Sequence, residues 1–517
     1  MSDPLHSALA VLPDYLSQHV LLSAAALALG VALSVPLLIA ARHSARLRWP
    51  VLAVASLIQT VPSIALLALF YPLLLGLSRL TGRLFGVRFQ ALGFLPSLLA
   101  LTLYSILPIL RNGVTAVLNL DPAILQAAHG VGMTSRQRLL HVELPLAAPM
   151  LMAGVRTAAV WVIGTATLAT PVGQTSLGNY IFTGLQLANW VWVLFGCGAA
   201  VALALVTDQL LALIEFGLAR RRPRLAWLGL CLLVAGVAAA AAVPLAAGRR
   251  GGFVVGAKNF TEQYILAALI SSRLRAEGHP VTERTGLGST LAFQALAGNE
   301  LSVYVDYTGT LWHDDLHHRS DPPHATMLSE LRTQLRRRYG VVLLGPLGYQ
   351  NAYVLAMRRP QAAALGIRTI GDLARFAPRL TLGGDLEFFA RPVWHDLERR
   401  YALHFRALRQ YEPAFMYHAL LSGAVNVIAA FSSDGRIAED HLVVLKDPLH
   451  VIPPYDAVIL LSPHGAHDPA LRRALEPLID HIPISLMRHA NFMVDRRHDK
   501  RTPRQAARWL AHAAHLR

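Results

Sequence analysis

Residues 121–149, DPAILQAAHGVGMTSRQRLLHVELPLAAP, form a polar stretch inside an otherwise apolar N-terminal half of the chain. Asp121 followed by Pro122 is typical of a helix N-cap and the first helical residue, where a missing N–H costs nothing. Gly130 and Gly132 lie where this short helix is expected to end, because glycine tolerates the left-handed backbone of a helix terminus.

A second short helix is predicted directly after the first. Thr134 with Gln137 three residues later forms a capping-box pair, and the helix that it starts is expected to stop before Pro145. The stretch is therefore predicted to be a helix–turn–helix flanked by apolar segments, with the shape of a docking surface. The alternative is an ordinary cytoplasmic loop between two membrane helices.

The order of residues in this stretch resembles the coupling loop of ABC-importer permeases. The signature of that loop is an acidic residue, two alanines, a downstream glycine and a closing Leu-Pro. The matching residues are Gln126, Ala127, Ala128, Gly132, Leu144 and Pro145. Gln126 stands where the signature has the acid. The resemblance implies that an ABC ATPase subunit docks on this loop.

Composition divides the chain into two unlike parts. Of its 517 residues 54% are hydrophobic and 15% charged, too apolar for a soluble protein and too charged for one embedded wholly in the membrane. The net charge is +16, but no single face or helix gathers the basic residues and arginines cluster beside apolar segments, which favours membrane topology over a nucleic-acid site. Cys197 and Cys231 both fall in apolar segments, so no disulfide framework is expected.

Several apolar segments are predicted to span the membrane, at about 20–41, 50–76, 91–110, 146–169, 190–213 and 225–247. The segments on the same side of the membrane as the central loop at 121–149 carry most of the arginines that lie near the spans. The segments on the opposite side carry Arg79, Arg83 and Arg88. The positive-inside rule then places the central loop in the cytoplasm. The N-terminus and everything after Gly248 are predicted to be outside.

From Gly252 onward the pattern changes to short strands alternating with helices, which predicts a mainly parallel α/β fold. We therefore predict three parts, with two lobes in the last. They are a transmembrane domain at 1–218, an extra membrane helix and linker at 219–251, and an extracytoplasmic domain at 252–517, with lobe 1 at about 252–347 and 456–517 and lobe 2 at about 348–455.

The C-terminal half resembles the substrate-binding proteins of the quaternary-amine class, which take glycine betaine, choline or carnitine. The motifs that carry the resemblance are KNFTEQ at 258–263, DYTGT at 306–310, EFFAR at 387–391, FSSDGRI at 431–437 and PPYDA at 453–457. The resemblance implies a two-lobed α/β clamp of the periplasmic-binding-protein type (type II). The whole chain then resembles a fusion of an importer permease, a polytopic α-helical membrane domain, with such a binding protein.

An anion site is expected where KNFTEQ joins a strand to a helix. Lys258 ends the strand, Asn259 is placed to cap the helix, and Glu262 three residues later is its capping-box partner. A cation beside a helix N-terminus suits a carboxylate. The alternative is a Lys258 that extends to the surface and an Asn259 that serves only as a cap.

A second cation is available to the same anion. Arg391 lies four residues after Glu387, which can orient its guanidinium as a bidentate fork, and Thr310 can add a hydroxyl donor. In the resembled family the matching positions hold the carboxylate of the substrate.

The other end of a betaine-like ligand has no N–H, so aromatic faces must hold its positive charge. By motif matching, Tyr307, Tyr353, Phe431 and Tyr455 correspond to the family's aromatic cage, although each alone is also compatible with a core position. Phe431 stands where a tyrosine is usual. Asn351 stands where some members have an acid, so the cage is expected to lack that negative charge.

Two other patterns are interpreted conservatively. His313, Asp314, Asp315, His317 and His318 have helical spacing suited to a metal, but a solvated polar helix face is the preferred interpretation. The sequence contains no G-x-x-x-x-G-K-[ST] motif, so the chain is not expected to supply an ATPase or to bind a cofactor itself.

Together the resemblances imply a transport subunit and not an enzyme. The expected function is ATP-driven import of glycine betaine or a related zwitterionic quaternary amine, by a homodimer with separate ATPase subunits. We expect the chain to be embedded in the lipid of a bacterial inner membrane, with its C-terminal domain in the periplasm. No nucleic-acid partner is expected. Ergothioneine or carnitine import is an alternative, and a transmembrane ligand sensor is an alternative of another class.

Overall fold

The computed structural model describes residues 4–86, 89, 91–187, 189–246, 252–318, 322–496 and 498–516. The chain divides into two compact units, Met1–Gly184 with Trp190–Arg249 and Leu185–Asn189 with Arg250–Arg517. Arg88 and the end of the predicted linker at 247–251 lie outside the described residues.

The first half of the chain is helical. Its helices are α1 (Pro4–His43), α2 (Ala45–Thr60), α3 (Ser63–Phe85), α4 (Phe94–Leu118), α5 (Pro122–Gly130), α6 (Ser135–Arg138), α7 (Leu144–Ala166), α8 (Gly178–Gln186), α9 (Trp190–Ala219) and α10 (Pro223–Ala246). Among the described residues, six helical segments are long and apolar enough to cross a membrane: Ala8–Ala41, Ser63–Phe85, Phe94–Leu118, Ser135–Val172, Trp190–Ala219 and Pro223–Leu245.

The second span lies later in the chain than predicted. Helices α2 and α3 are separate, so the run predicted at 50–76 is divided, and residues 77–85, which follow that run, are also helical. The break falls at Val61, whose φ of −71° and ψ of 128° are extended because Pro62 follows it. Residues 4–16, which precede the first predicted span at 20–41, are also helical.

The prediction that the second short helix stops before Pro145 is wrong. Helix α6 continues through a π-helical turn at Leu139–Glu143 into α7, and Pro145 lies in the first turn of α7. Proline is tolerated there because the π turn changes the hydrogen-bond spacing just before it. Continuous helical backbone therefore joins α6, the second helix of the predicted helix–turn–helix, to α7.

A charged network ties α7 to α9. The Arg156 guanidinium donates to both carboxylate oxygens of Asp208 at 2.9 Å and to Glu215 at 2.7 Å. Charged groups in a spanning segment are costly unless they pair with one another. The pairing lets these helices carry polar side chains and fixes their relative position.

The second half of the chain is α/β. Its strands are β1 (Phe253–Lys258), β2 (Val281–Leu287), β3 (Val303–Tyr307), β4 (Val342–Gln350), β5 (Tyr353–Arg358), β6 (Thr381–Gly384), β7 (Ala407–Gln410), β8 (Val427–Phe431), β9 (Leu442–Val444) and β10 (Asp456–Leu461). Its helices are α11 (Thr261–Ala276), α12 (Ser289–Ala297), α13 (Thr308–Thr310), α14 (His324–Tyr339), α15 (Arg359–Leu365), α16 (Ile370–Ala374), α17 (Leu386–Ala390), α18 (Pro392–Tyr401), α19 (Pro413–Leu421), α20 (Arg436–Glu439), α21 (Pro469–Leu475), α22 (Ile484–Asp495) and α23 (Pro503–Ala513).

The strands form two sheets, one in each lobe. The sheet of lobe 1 has the order β2-β1-β3-β10-β4, and the sheet of lobe 2 has the order β7-β6-β8-β5-β9. The chain crosses from lobe 1 to lobe 2 between β4 and β5 and returns between β9 and β10. The prediction of mainly parallel sheets is wrong, because the strands beside these crossings, β10 and β5, each pair antiparallel with both of their neighbours.

The parallel strands bring their carboxyl ends to the cleft between the lobes. Lys258 ends β1, Tyr307 ends β3, and Phe431 ends β8. Tyr353 begins β5, directly after the first crossing, and Tyr455 precedes β10, at the second crossing. The topology therefore collects side chains distant in sequence at one place, as expected for a ligand site in an open α/β sheet.

Candidate functional site

The four predicted cage residues lie in one aromatic cluster, made of Phe260, Tyr307, Tyr353, Phe431 and Tyr455. The ring centroids of Tyr353 lie 4.9 Å from Phe431 and 5.9 Å from Tyr455. Phe260 joins the two lobes, since its ring stacks on Phe431 at 6.0 Å and lies 6.1 Å from Tyr307. Phe260 was missed by the sequence interpretation, although it lies within the KNFTEQ motif.

Gly309 shows why the DYTGT motif needs a glycine. A Cβ atom at Gly309 would lie 2.4 Å from Cε1 of Tyr455, a distance that side-chain carbons do not tolerate. The missing side chain lets the Tyr455 ring pack directly on the backbone after β3. The motif residue therefore shapes one wall of the aromatic cluster.

Arg391 lies buried beside the cluster. Its Nη1 donates to the Tyr353 hydroxyl at 3.1 Å, and its Nη2 donates to Asp314 at 2.6 Å and to Glu387 at 2.9 Å, with Thr310 Oγ1 at 3.4 Å. Within the described part of the chain, its buried Nε–H has no hydrogen-bond partner. A buried cation with an unused donor suits an incoming anion.

The two carboxylates around Arg391 differ in character. Glu387 is half-exposed and also accepts a hydrogen bond from Ser289 at 3.0 Å. Asp314 was considered in the sequence only as part of the histidine- and aspartate-rich segment, yet it pairs with Arg391 across 77 positions. The pKa of Arg391 is lowered by burial and raised more strongly by Tyr353, Tyr455 and these acids, so the guanidinium stays charged.

The segment that contains Asp314 is not the solvated helix face that was preferred in the sequence. It forms a π-helical turn at Leu311–Asp315, in which His313 and Asp315 are buried. Burial, together with the charge of Asp306, raises the pKa of Asp315 to about 8. His313 and Asp315 therefore lie inside lobe 1, and the half-buried Asp314 reaches the arginine.

Lys258 and Asn259 are not arranged as predicted. Helix α11 begins at Thr261, so its N-cap is Phe260, which makes no side-chain cap, and Asn259 is exposed. Lys258 is buried, pairs with Asp306, and lies 5.7 Å from the centre of the Tyr307 ring. The capping box fails because the helix starts one residue too late for Asn259 to reach it.

Glu262, predicted as the capping-box partner, instead turns into the domain. It is fully buried and accepts hydrogen bonds from Tyr307 at 2.6 Å and Tyr349 at 2.8 Å. Asn351 donates its side-chain N–H to Glu262 at 3.4 Å and its backbone N–H to Tyr455 at 2.8 Å. Burial raises the pKa of Glu262, and the hydrogen bonds oppose that rise.

A second buried acidic cluster lies near the start of α11. Arg436 donates to both oxygens of Asp434, and Thr261 donates to Asp495 at 2.6 Å. Burial, together with the charge of Asp434, raises the pKa of Asp495 to about 7. The folded protein therefore holds a proton on Asp495 that the unfolded chain releases at lower pH.

This shift predicts a pH dependence of stability. A carboxyl with a raised folded-state pKa stabilises fully below its unfolded value of 3.8, and that contribution is lost as pH rises through about 7. For the fragment 252–517, we expect the Asp495→Asn variant to show a smaller fall in thermal midpoint between these pH values than the unmodified fragment. Parallel curves for the two proteins would contradict the assignment.

In the first unit, α5 and α6 form the predicted helix–turn–helix. The Asp121 carboxylate accepts from the backbone N–H of Ala123 at 2.8 Å, and Thr134 with Gln137 makes the full capping box. Gly132 has a φ of +79°, a conformation that favours glycine. These local predictions from the sequence are confirmed.

The predicted coupling residues occupy different environments. Gln126 and Ala127 are exposed and Ala128 is buried, whereas Leu144 and Pro145 begin α7. Ile124 and Val131, at helical spacing around Ala127, expose 42% and 75% of their surface. An exposed apolar stripe on a short helix suits contact with another protein.

Comparison with known proteins adds two family matches. Residues 253–512 match the substrate-binding domain of the ABC-type glycine betaine transport system. Residues 32–220 match the inner membrane component of binding-protein-dependent transport systems. Both matches agree with the division of the chain into a helical and an α/β half.

Individual relatives resemble either the whole chain or one half. The ergothioneine transport permease/ergothioneine binding protein EgtU of Helicobacter pylori is 27% identical over 88% of this chain and 82% of its own length. The choline transport system permease protein OpuBB of Bacillus subtilis is 39% identical over 38% of this chain and 84% of its own. A glycine-betaine-binding protein of Pseudomonas aeruginosa is 32% identical over 56% of this chain and 94% of its own.

The described residues include six helices long and apolar enough to cross a membrane, followed by a two-lobed α/β clamp, and each half has a family match. This chain is therefore a membrane protein of the ABC importer class. It belongs to the family in which an inner-membrane permease component is fused to the substrate-binding domain of a glycine betaine-type transport system.

Proposed function

We propose that this chain imports a carboxylated quaternary amine, with glycine betaine as the first candidate. The observation that carries the proposal is the buried Arg391, whose Nε–H is unused among the described residues and which contacts Tyr353 of the aromatic cluster. A guanidinium binds an anion and aromatic ring faces bind a cation, and here the two lie within the length of one small ligand. We call these parts of the site the anion pole and the cation pole, after the ligand group that each binds. A zwitterion with a trimethylammonium group satisfies both poles.

The acids around Arg391 define how a ligand carboxylate enters. Asp314 holds Nη2 at 2.6 Å, and the half-exposed Glu387 holds the same nitrogen at 2.9 Å. Because the half-exposed Glu387 can be hydrated at small cost, we propose that the ligand carboxylate replaces Glu387 as a hydrogen-bond acceptor of Arg391. Thr310 adds a hydroxyl next to the same nitrogen.

Closure of the lobes assembles the cation pole. Phe260 and Tyr307 belong to lobe 1, and Tyr353 and Phe431 belong to lobe 2. Each ring in contact with a desolvated cation contributes on the order of 0.5–2 kcal/mol. The cluster is therefore complete only when the two lobes meet.

The membrane unit is proposed to work as a homodimer with two ATPase subunits, because one such unit supplies half of a pathway in the resembled class. The ATPase docks on α5 and α6, uses the ATP that this chain does not bind, and drives alternating access. We propose that the binding domain faces the periplasm of a bacterial inner membrane, as arginine placement favours. Tethering then raises the effective concentration of the binding domain near its permease.

A second candidate substrate is ergothioneine or carnitine. The observation that favours ergothioneine is the full-length likeness to the Helicobacter pylori transporter named for that compound. Both compounds carry a trimethylammonium group and a carboxylate, so the two-pole site accommodates them by the same chemistry. Choline lacks the carboxylate and would leave Arg391 without a new partner.

Titration calorimetry of the fragment 252–517 tests the proposal. A relative that corresponds to this half exists as a separate binding protein, which supports study of the fragment alone. We expect glycine betaine, carnitine or ergothioneine to bind, and we expect Tyr307→Ala to weaken that binding at least about tenfold. Absence of binding across this panel would reject the quaternary-amine assignment and leave the transporter architecture in place.

A further inference from the structure

The carboxylate of Glu262 lies directly behind the aromatic cluster. Its Oε1 accepts from Tyr307 at 2.6 Å, Tyr349 at 2.8 Å and Asn351 at 3.4 Å. Its Oε2 accepts from Asn491 at 3.2 Å and from the hydroxyl of Ser433, two residues after Phe431. Donors from lobe 1, lobe 2 and the first crossing therefore converge on one buried acid.

All of these donors are neutral. A carboxylate can only accept hydrogen bonds, so a set of converging hydroxyl and amide donors fits the ionised form of Glu262. The neighbouring basic side chains pair with other acids: Lys258 with Asp306, and Arg436 with Asp434. The negative charge of Glu262 is thus hydrogen-bonded but not neutralised by a cation among the described residues.

Two features connect this charge to the rings. The Tyr307 hydroxyl donates to Glu262, and a phenol that donates to a carboxylate carries more electron density on its ring face. A small cavity of about 20 Å³ lies at the edge of the cluster, where Phe260 and Phe431 meet Glu262 and the neighbouring polar residues Asp434, Arg436 and Asp495. The negative charge of Glu262 is therefore close enough to the rings to act on a cation bound among them.

We propose that Glu262 is a specificity-determining residue that makes the aromatic cluster prefer a cationic headgroup over a neutral one of the same shape. It acts through Tyr307 and through its own field, and it supplies the negative charge that Asn351 does not provide. Since an uncompensated buried charge is costly, a ligand cation nearby recovers part of that cost. This inference rests on the proposed quaternary-amine function.

The test compares two ligands of equal shape on the full-length chain purified in detergent. One is glycine betaine, and the other is the carboxylate of tert-butylacetic acid, in which carbon replaces the quaternary nitrogen. We expect the unmodified chain to prefer glycine betaine. In Glu262→Gln, which keeps the size and most hydrogen bonds, the ratio of the two dissociation constants should fall by about tenfold.

Glu300→Gln is the matched control, because Glu300 is a buried acid of lobe 1 that pairs with Arg284 at 3.9 Å. Its preference ratio should equal that of the unmodified chain. Tyr307→Phe provides a second test that keeps the ring and removes the hydroxyl link, and it should lower the ratio in the same direction.

Three results would overturn the inference. Unchanged dissociation constants for both ligands in Glu262→Gln and in Tyr307→Phe would mean that the charge does not reach the ligand. Equal weakening of both ligands would assign Glu262 a purely structural role. An unmodified chain that does not prefer the cationic ligand would reject both this inference and the quaternary-amine function, whereas the first two results leave that function intact.

Discussion

Arg391→Ala is expected to weaken binding of glycine betaine by at least about thirtyfold, because truncating one member of a buried, hydrogen-bonded charge pair costs roughly 2–5 kcal/mol. The variant removes the unused Nε–H donor and both Nη groups from the anion pole. It also leaves Asp314 and Glu387 without their shared cation. The site then presents two acids where a ligand carboxylate must enter.

The same variant should treat choline differently. Choline has no carboxylate, and uncompensated acids at the end of the site attract a cation, so its affinity should stay equal or increase. Calorimetry with both ligands measures this reversal of preference. Arg399→Ala is a suitable control, because Arg399 is an exposed arginine of the same lobe, paired with Asp396 on the surface of α18. Equal losses for both ligands in Arg391→Ala would mean that Arg391 supports the fold and not the anion pole.

Ala127→Arg is expected to reduce ATP-dependent uptake at least about tenfold without changing ligand affinity, since bulk and charge at the centre of an interface typically cost 2 kcal/mol or more. Ala127 is exposed on α5, between the exposed Ile124 and Val131, so the substitution should leave the chain's own fold intact. Uptake into proteoliposomes that contain the chain and its ATPase measures the effect, and calorimetry measures ligand binding.

His129→Arg adds the same side chain two positions along α5, on a different face of the helix, and should transport normally. Normal transport by Ala127→Arg would show that the ATPase does not dock on this face.

Gly132→Ala is expected to reduce uptake as well, because its φ of +79° strains any residue that has a Cβ atom. That strain would distort the turn between α5 and α6.

Local sequence patterns predicted local structure well. The Asp121 cap and the Thr134–Gln137 capping box are present as predicted, because the atoms involved lie within three positions of one another. The strand that Lys258 was predicted to end is also present, over 253–258, and a helix follows it over 261–276. The failures were equally local in cause: Pro62 divided a predicted span, and a π turn carried a helix past Pro145.

The predicted site residues were placed by motif, and their partners were not predictable. Tyr307, Tyr353, Phe431 and Tyr455 meet in one cluster, but the contribution of Phe260 required its ring to stack across the cleft. Asp314 belonged in the sequence to a histidine-rich segment, and only the fold brings it to Arg391. Whether these residues bind a ligand stays a prediction that the experiments above test.

The sequence by itself determined most of the apolar spans, the capped helices at 121–149 and the alternation of strands and helices after Gly252, because each depends on neighbours a few residues apart. The tertiary structure decided the roles of Glu262 and Lys258. Glu262 could have capped a helix, but its carboxylate instead meets Ser433 and Asn491, which lie 171 and 229 positions away. Such contacts exist only after two sheets and a long return crossing have brought distant segments together, and no local pattern encodes that distance.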